Sequence, residues 1–169
     1  LSLSLLSWDV TKVTNFQGMF EDCTKLTYLN LSNWGGATRT AQNVTMAYMF
    51  CGTTLLKSPV LEGFKTNNVI DMSYMFDSSG IESLNLTDWD MSQVNNVSYM
   101  FYNTIKLWRI TLGNDVIFSS NPNFTEAPSL GTTISSLGQT FKTTAESWQA
   151  VGTGSDHHPT GNMVTTTQM

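Results

Sequence analysis

Two adjacent histidines near the end of the chain, His157 and His158, follow Asp156 and are the side chains best suited to hold a transition metal. Imidazole and carboxylate groups are common ligands of zinc and related ions. Adjacent residues rarely point at one ion, however, and the surrounding Gly, Ser and Pro residues supply no third ligand. We therefore interpret this segment as a solvated turn and predict no metal there.

Acidic and amide side chains between the repeated segments could instead hold calcium, because this ion prefers oxygen ligands. Asp88, Asp90, Asn95 and Asn96 all lie in predicted turns. The sequence has no Asp-x-Asp-x-Asp-Gly loop of the kind that binds calcium tightly. Ordinary turn and helix N-cap roles therefore explain these residues.

Nucleophilic and acid–base catalysis find little support in the residue pattern. No Gly-x-Ser-x-Gly elbow is present, and the only histidines lie close to the C-terminal end. Carboxylates of the kind that cleave glycosidic bonds are available, but most occupy turn positions. They are Asp9, Glu21, Asp22, Glu62, Glu82, Asp88 and Asp90. We expect no enzymatic activity and no cofactor.

The composition excludes two further classes of function. Only 12% of the residues are charged, against about 25% in a typical soluble domain, and Ser, Thr and Asn take their place as in many secreted surface proteins. The net charge of -5 argues against nucleic acid, which binds basic surfaces. No apolar run approaches the roughly 18 residues that cross a bilayer, so we expect no membrane insertion.

A recurring pair of large apolar residues organises the first two thirds of the chain. The pairs are Met19-Phe20, Met49-Phe50, Met75-Phe76 and Met100-Phe101, at intervals of 30, 26 and 25 residues. Such a period predicts a repeat architecture. Val13 and Phe16 precede the first pair with helical spacing, which predicts a short helix or 3₁₀ segment. Leu29-Asn30-Leu31 and Leu84-Asn85-Leu86 alternate apolar and polar residues, as short half-buried strands do.

The pattern Leu26-x-x-Leu29-x-Leu31 matches the start of a leucine-rich repeat, with Trp34 or Trp89 near the usual asparagine position. Together with Val-Thr-Asn and Tyr-Met-Phe, it resembles the BspA-like leucine-rich repeat surface proteins of Gram-positive bacteria, including lactic acid bacteria. The resemblance implies an α/β repeat fold. In that fold a right-handed leucine-rich-repeat solenoid carries short parallel strands on one face and short helices on the other.

We expect residues 1–112 to form this solenoid of about four coils, and residues 113–169 to form an irregular β cap. An open solenoid end exposes apolar core and needs such a cap, and Trp148 is its predicted anchor. The alternative is a partly ordered linker towards a cell-wall anchor. Pro59 removes a backbone donor and should weaken strand pairing, while the 35–42 connection should bulge outwards. The first residues resemble the tail of a repeat, so we expect a longer parent protein.

The two cysteines, Cys23 and Cys51, are too few for a disulfide framework. They lie in neighbouring repeats, but their positions within the repeat differ by two residues, and disulfide geometry is strict. A single bridge and two small, half-buried thiols both remain open interpretations.

The outward residues of the predicted strands form a regular polar surface. The residues that we expect to bind a ligand there are Tyr28, Asn30, Ser83, Asn85, Trp108, Arg109 and Thr111. The row one position earlier holds Thr27, Lys57, Glu82 and Trp108. Tyr, Trp and Arg are the residues that most often anchor interfaces. The alternative is a solvated sheet that carries only hydroxyl and amide ladders.

The family resemblance implies a function for this surface. It implies a non-enzymatic, extracellular adhesin module that binds host mucin, or an extracellular matrix protein or glycan. The module would be attached to the cell wall through regions outside this segment. A structural stalk and a carbohydrate-binding module are the two alternatives.

Overall fold

The structure is a computed structural model that describes residues 1–34, 40–136, 139–143, 147–150 and 160–164. Its strands are β1 (Ser2–Ser4), β2 (Tyr28–Asn30), β3 (Val44–Thr45), β4 (Val69–Asp71), β5 (Ser83–Leu86), β6 (Arg109–Leu112), β7 (Thr133–Ser136), β8 (Gln139–Lys142), β9 (Trp148–Gln149) and β10 (Met163–Val164). They form five two-stranded sheets. The pairs β1–β2, β3–β4 and β5–β6 are parallel, whereas β7–β8 and β9–β10 are antiparallel.

The predicted α/β leucine-rich-repeat solenoid with short helices is wrong. The described residues contain no helix, and the strands are only two to four residues long. These strands lie in separate two-stranded sheets and do not form one continuous sheet. The solenoid architecture is therefore not supported.

Consecutive turns replace the predicted helices. In the first repeat the Met19 N–H donates to the Phe16 carbonyl, and the Cys23 N–H donates to the Phe20 carbonyl, both at 3.1 Å. The Phe20 N–H between them donates instead to the Met49 carbonyl of the next repeat, at 3.0 Å. In an α-helix every interior N–H bonds four residues back within the helix. This alternation of partners therefore excludes a helix and ties neighbouring repeats together.

Left-handed backbone at one position of every repeat enforces the turns. The residue before the Met-Phe pair is Gly18, Tyr48, Tyr74 or Tyr99, with φ of 62°, 59°, 55° and 57°. Such a positive φ interrupts a right-handed helix, and it is rare for a bulky residue such as tyrosine. The apolar i, i+3 spacing that predicts a helix is therefore produced here by a chain of turns.

A continuous stack of phenylalanine rings forms the centre of the core. The rings belong to Phe20, Phe50, Phe76, Phe101 and Phe124, with successive centroid distances of 5.7, 5.2, 5.6 and 4.5 Å. Neighbouring ring planes differ by at most 9°. Met49, Met75 and Met100 are fully buried beside them. The Met-Phe pairs therefore lie in the core, except that Met19 of the first pair is only half-buried.

The strand pairing follows the register that the repeat alignment predicts. Leu3 lies opposite Leu29 in β1–β2, and Leu84 lies opposite Ile110 in β5–β6. The segment between these sheets contains Pro59. Among the described residues, one isolated bridge, from Asn30 to Val60, joins β2 to this segment. Pro59 has no N–H to donate, which accounts for the interruption.

The stacking between repeats continues beyond residue 112. The Phe101 N–H donates to the Pro122 carbonyl at 3.0 Å, and Phe124 lies on Phe101. Trp148 is buried 6.5 Å from Phe124, and its indole N–H donates to the Thr125 carbonyl. Residues 35–39, the main part of the predicted bulge, lie outside the described residues.

Candidate binding face

The predicted ligand-binding residues occupy two of the small sheets. In β5–β6, Ser83 lies opposite Arg109 and Asn85 lies opposite Thr111, with Trp108 directly before β6. Tyr28 and Asn30 lie on β2, on the far side of the interruption at Pro59. The structure therefore brings five of the seven residues together and separates the other two from them.

The amide oxygens of the two asparagines are used within the fold. Asn30 accepts hydrogen bonds from the Ser32 N–H and hydroxyl at 2.9 and 2.7 Å, and its Nδ2 donates to the Tyr28 hydroxyl at 3.3 Å. Asn85 accepts from the Thr87 N–H and hydroxyl at 3.0 and 2.6 Å. Such bonds to residue i+2 form Asx turns. Asn30 and Asn85 thus stabilise the chain after each strand.

Hydroxyl and backbone hydrogen bonds connect β5 to the segment that contains Pro59. The Ser83 hydroxyl donates to the Ser58 hydroxyl at 3.3 Å. One position earlier, the Glu82 N–H donates to the Lys57 carbonyl at 2.7 Å, and the Trp108 N–H donates to the Glu82 carbonyl at 3.0 Å. Three of the four residues of the predicted row, Lys57, Glu82 and Trp108, are therefore neighbours.

A cleft of about 330 Å³ opens beside this row. Lys57, Glu82, Lys106 and Trp108 line one part of it, and residues 132–135 of the C-terminal segment line another. Pockets that hold small ligands usually measure about 300–1,000 Å³. The cleft is therefore large enough for a small ligand and lies beside the predicted face.

Positive charge is concentrated around the cleft. The Lys57 ammonium lies 2.8 Å from the Glu82 carboxylate, and this pair is largely neutral as a unit. Lys106 is exposed and has no ion-pair partner among the described residues. The described residues that line the cleft, Lys57, Lys106 and Glu82, therefore carry one net positive charge in an acidic chain.

A row of tyrosines was missed by the sequence reasoning. The rings of Tyr48 and Tyr74 stack at 4.7 Å, those of Tyr74 and Tyr99 stack at 5.0 Å, and Tyr102 contacts Tyr99 edge-on at 5.6 Å. The signal was the Tyr before Met-Phe in three repeats. Tyr74 is covered on both ring faces by its neighbours, so it offers no face on which a ligand ring could stack. The row is a weaker candidate than the cleft.

One of the two cysteines, Cys51, lies close to Tyr48 of this tyrosine row. Both Cys23 and Cys51 are free, half-buried thiols, so no bridge joins them. Desolvation, together with the nearby Asp77 carboxylate, raises the pKa of the Cys51 thiol to about 11. The Cys51 sulfur lies 3.9 Å from an oxygen of Asp77. Since the thiolate is the reactive form, Cys51 is protected at neutral pH.

Alkylation of Cys51 at pH 7.5 should be about 100-fold slower in the native protein than in urea, because its pKa lies about two units above the ordinary value. The rate should rise about tenfold per pH unit up to about pH 10. Mass spectrometry of a Cys23→Ser variant treated with iodoacetamide measures this rate. A Cys51→Ser variant supplies the matched rate for Cys23. A native rate within threefold of the unfolded rate would contradict the prediction.

Two of the residues considered for calcium, Asp90 and Asp88, accept hydrogen bonds within the fold. The Asp90 carboxylate accepts from the Ser92 N–H at 2.9 Å, and the bonds from Ser92 lower the pKa of Asp90. Asp88 accepts from the Gly63 N–H at 3.1 Å. Within the described residues, no group of three or more His, Cys, Asp or Glu side chains is placed to hold a metal. The predicted turn at Asp156, His157 and His158 lies outside the described residues.

No helix among the described residues is long and apolar enough to cross a membrane.

The sequence of the chain matches a known protein family. No curated protein and no solved structure matches the chain. The family model described as "Mycoplasma protein of unknown function, DUF285" matches residues 1–41 and 36–116. These matches include all four Met-Phe pairs and more than half of the 169 residues. The chain therefore belongs to the DUF285 family.

Proposed function

We propose that this chain is a non-enzymatic binding module of an extracellular surface protein of the BspA-like type, and that it binds host mucin or matrix glycoproteins. The DUF285 family is found in BspA-like surface proteins, which supports this assignment. The low charge and the many Ser, Thr and Asn side chains are typical of secreted surface proteins. Attachment to the cell wall would use other regions of the parent protein.

The observation that carries the proposal is the polar face of β5–β6 with the cleft beside it. This face joins Trp108, Arg109 and the hydroxyl groups of Ser83 and Thr111 within one small region. Aromatic and arginine side chains next to a concave surface are the usual anchors of binding. Asn85 contributes to the shape of the face through its turn, and we assign its amide oxygen no contact with the ligand.

A structural stalk is the second candidate. It is favoured by the observation that Asn30 and Asn85 use their amide oxygens in turns. A stalk needs regular stacking between repeats and no exposed contact residues. The two candidates differ in whether the isolated chain binds mucin at all.

Binding of the purified chain to a mucin-coated surface tests the proposal. We expect an Arg109→Ser, Thr111→Ala variant to bind about tenfold more weakly, since an arginine anchor contributes about 1 kcal/mol or more. Lys12→Ser, which also removes one exposed positive charge, is the matched control and should bind like the parent. Circular dichroism checks that all variants are folded. No mucin binding by the parent chain would support the stalk and reject the proposal.

A further inference from the structure

We propose that the cleft beside Trp108 binds an anionic sugar, one that carries a carboxylate or a sulfate group. The inference rests on the proposed function and names the chemical class of its ligand. It depends on three features of the described residues. These are the local charge, the mixture of apolar and hydroxyl groups in the wall, and the size of the cleft.

The charge of the wall selects an anion. Lys57 and Lys106 line the cleft, and Lys106 has no ion-pair partner among the described residues. Glu82 is the acidic residue of the lining, and its carboxylate is already paired with Lys57 at 2.8 Å. The chain as a whole has a net charge of -5, so it repels anions elsewhere. A positive concave site in an acidic protein concentrates anionic ligands at that point.

The remaining wall groups suit a sugar ring. Ile105 and Trp108 present apolar surface, while Thr132, Thr133 and Ser135 bring hydroxyl groups. A pyranose has apolar C–H faces and a rim of hydroxyls, so it can use both kinds of group at once. A bare inorganic anion would make no use of the apolar wall, which argues for an anionic group carried by a ring.

The size of the cleft favours a terminal sugar over an extended peptide. Its volume of about 330 Å³ is near the lower end of the range for ligand pockets. An acidic peptide would need a longer groove, or it would have to pair along a strand edge. We therefore assign the cleft to one terminal sugar residue, with Lys106 as the contact for its negative group.

Titration of the whole chain with defined sugars tests the assignment. We expect 3'-sialyllactose or galactose 6-sulfate to bind at least tenfold more tightly than lactose or galactose, measured by calorimetry or ligand-observed NMR. The two anionic probes distinguish a carboxylate from a sulfate. Lys106→Gln should lower the affinity for the preferred sugar about fivefold or more. Lys12→Gln, which replaces an exposed lysine outside the cleft lining, should leave this affinity unchanged.

Two results would overturn the assignment. One is equal affinity for the neutral and anionic sugars, and the other is tighter binding of hexaglutamate than of either anionic sugar. Mucin binding, measured in parallel, separates this inference from the proposed function. If mucin binds the parent chain but neither anionic sugar is preferred over its neutral partner, the cleft assignment fails and the adhesin proposal stands. If the anionic sugar binds but mucin does not, the adhesin proposal fails and the cleft assignment stands.

Discussion

Replacing Phe76 with alanine should lower the free energy of unfolding by about 3–5 kcal/mol, the usual cost of truncating a buried phenylalanine. Phe76 is fully buried and lies between Phe50 at 5.2 Å and Phe101 at 5.6 Å. Its removal leaves a cavity in the middle of the stack and takes one stacking contact from each neighbour. Since domains are stable by only about 5–15 kcal/mol, urea denaturation should show the change clearly.

Two further variants of the same type act as controls for Phe76→Ala. Phe20 lies at the end of the stack with one stacked neighbour, Phe50, so Phe20→Ala should cost less. Tyr102 is 54% exposed and contacts Tyr99 only edge-on, so Tyr102→Ala should cost less than about 1 kcal/mol. Equal losses for Phe76→Ala and Tyr102→Ala would show that the stack does not stabilise the fold in solution.

The register of the repeats could be predicted because it depends on apolar side chains. Met and Phe recur at one position, and Leu-x-Leu recurs at another, so aligning them places Leu84 opposite Ile110 as observed. Burial is the dominant favourable term in folding, and the residues that supply it are visible in sequence. The interruption at Pro59 was predictable for a similar reason, since a missing N–H is a property of the residue itself.

The backbone between the strands could not be predicted from the same pattern. An apolar residue every three or four positions is shared by a helix and by consecutive turns, so Phe16 and Met19 fit both. The turns are distinguished from a helix by the left-handed φ of Tyr48, Tyr74 and Tyr99, a conformation that tyrosine disfavours. Each N–H of these tyrosines donates to a neighbouring repeat or to Asn123, at about 3.0 Å, and such bonds offset the strain.

The candidate site was predicted in part. The row of Lys57, Glu82 and Trp108 follows from the repeat alignment, and the structure places these residues around one cleft. The other wall, formed by residues 132–135, comes from a segment with no repeat pattern, so its position could not be inferred. Asn30 and Asn85 were predicted to contact a ligand because they alternate with leucine along the strands. Their amide oxygens instead accept hydrogen bonds that form the turns after those strands.

Trp34→Phe should destabilise the protein by about 2 kcal/mol more than Trp89→Phe does. The two tryptophans are 2% and 1% exposed and pack against Phe16 and Phe64 at 5.8 and 5.9 Å, so the cavity created by either substitution is similar. Their indole N–H groups differ. That of Trp34 donates to the Leu5 carbonyl at 2.9 Å, whereas that of Trp89 is buried with no partner among the described residues.

The expected difference follows from these two N–H groups. Trp34→Phe loses a hydrogen bond worth about 1 kcal/mol. The loss is limited because the Leu5 carbonyl also accepts from the Trp8 N–H. Trp89→Phe instead removes an unsatisfied donor, whose burial costs about 1–3 kcal/mol and offsets the cavity. Urea denaturation of both variants measures the difference. Equal losses would mean that a water molecule satisfies the Trp89 N–H in solution.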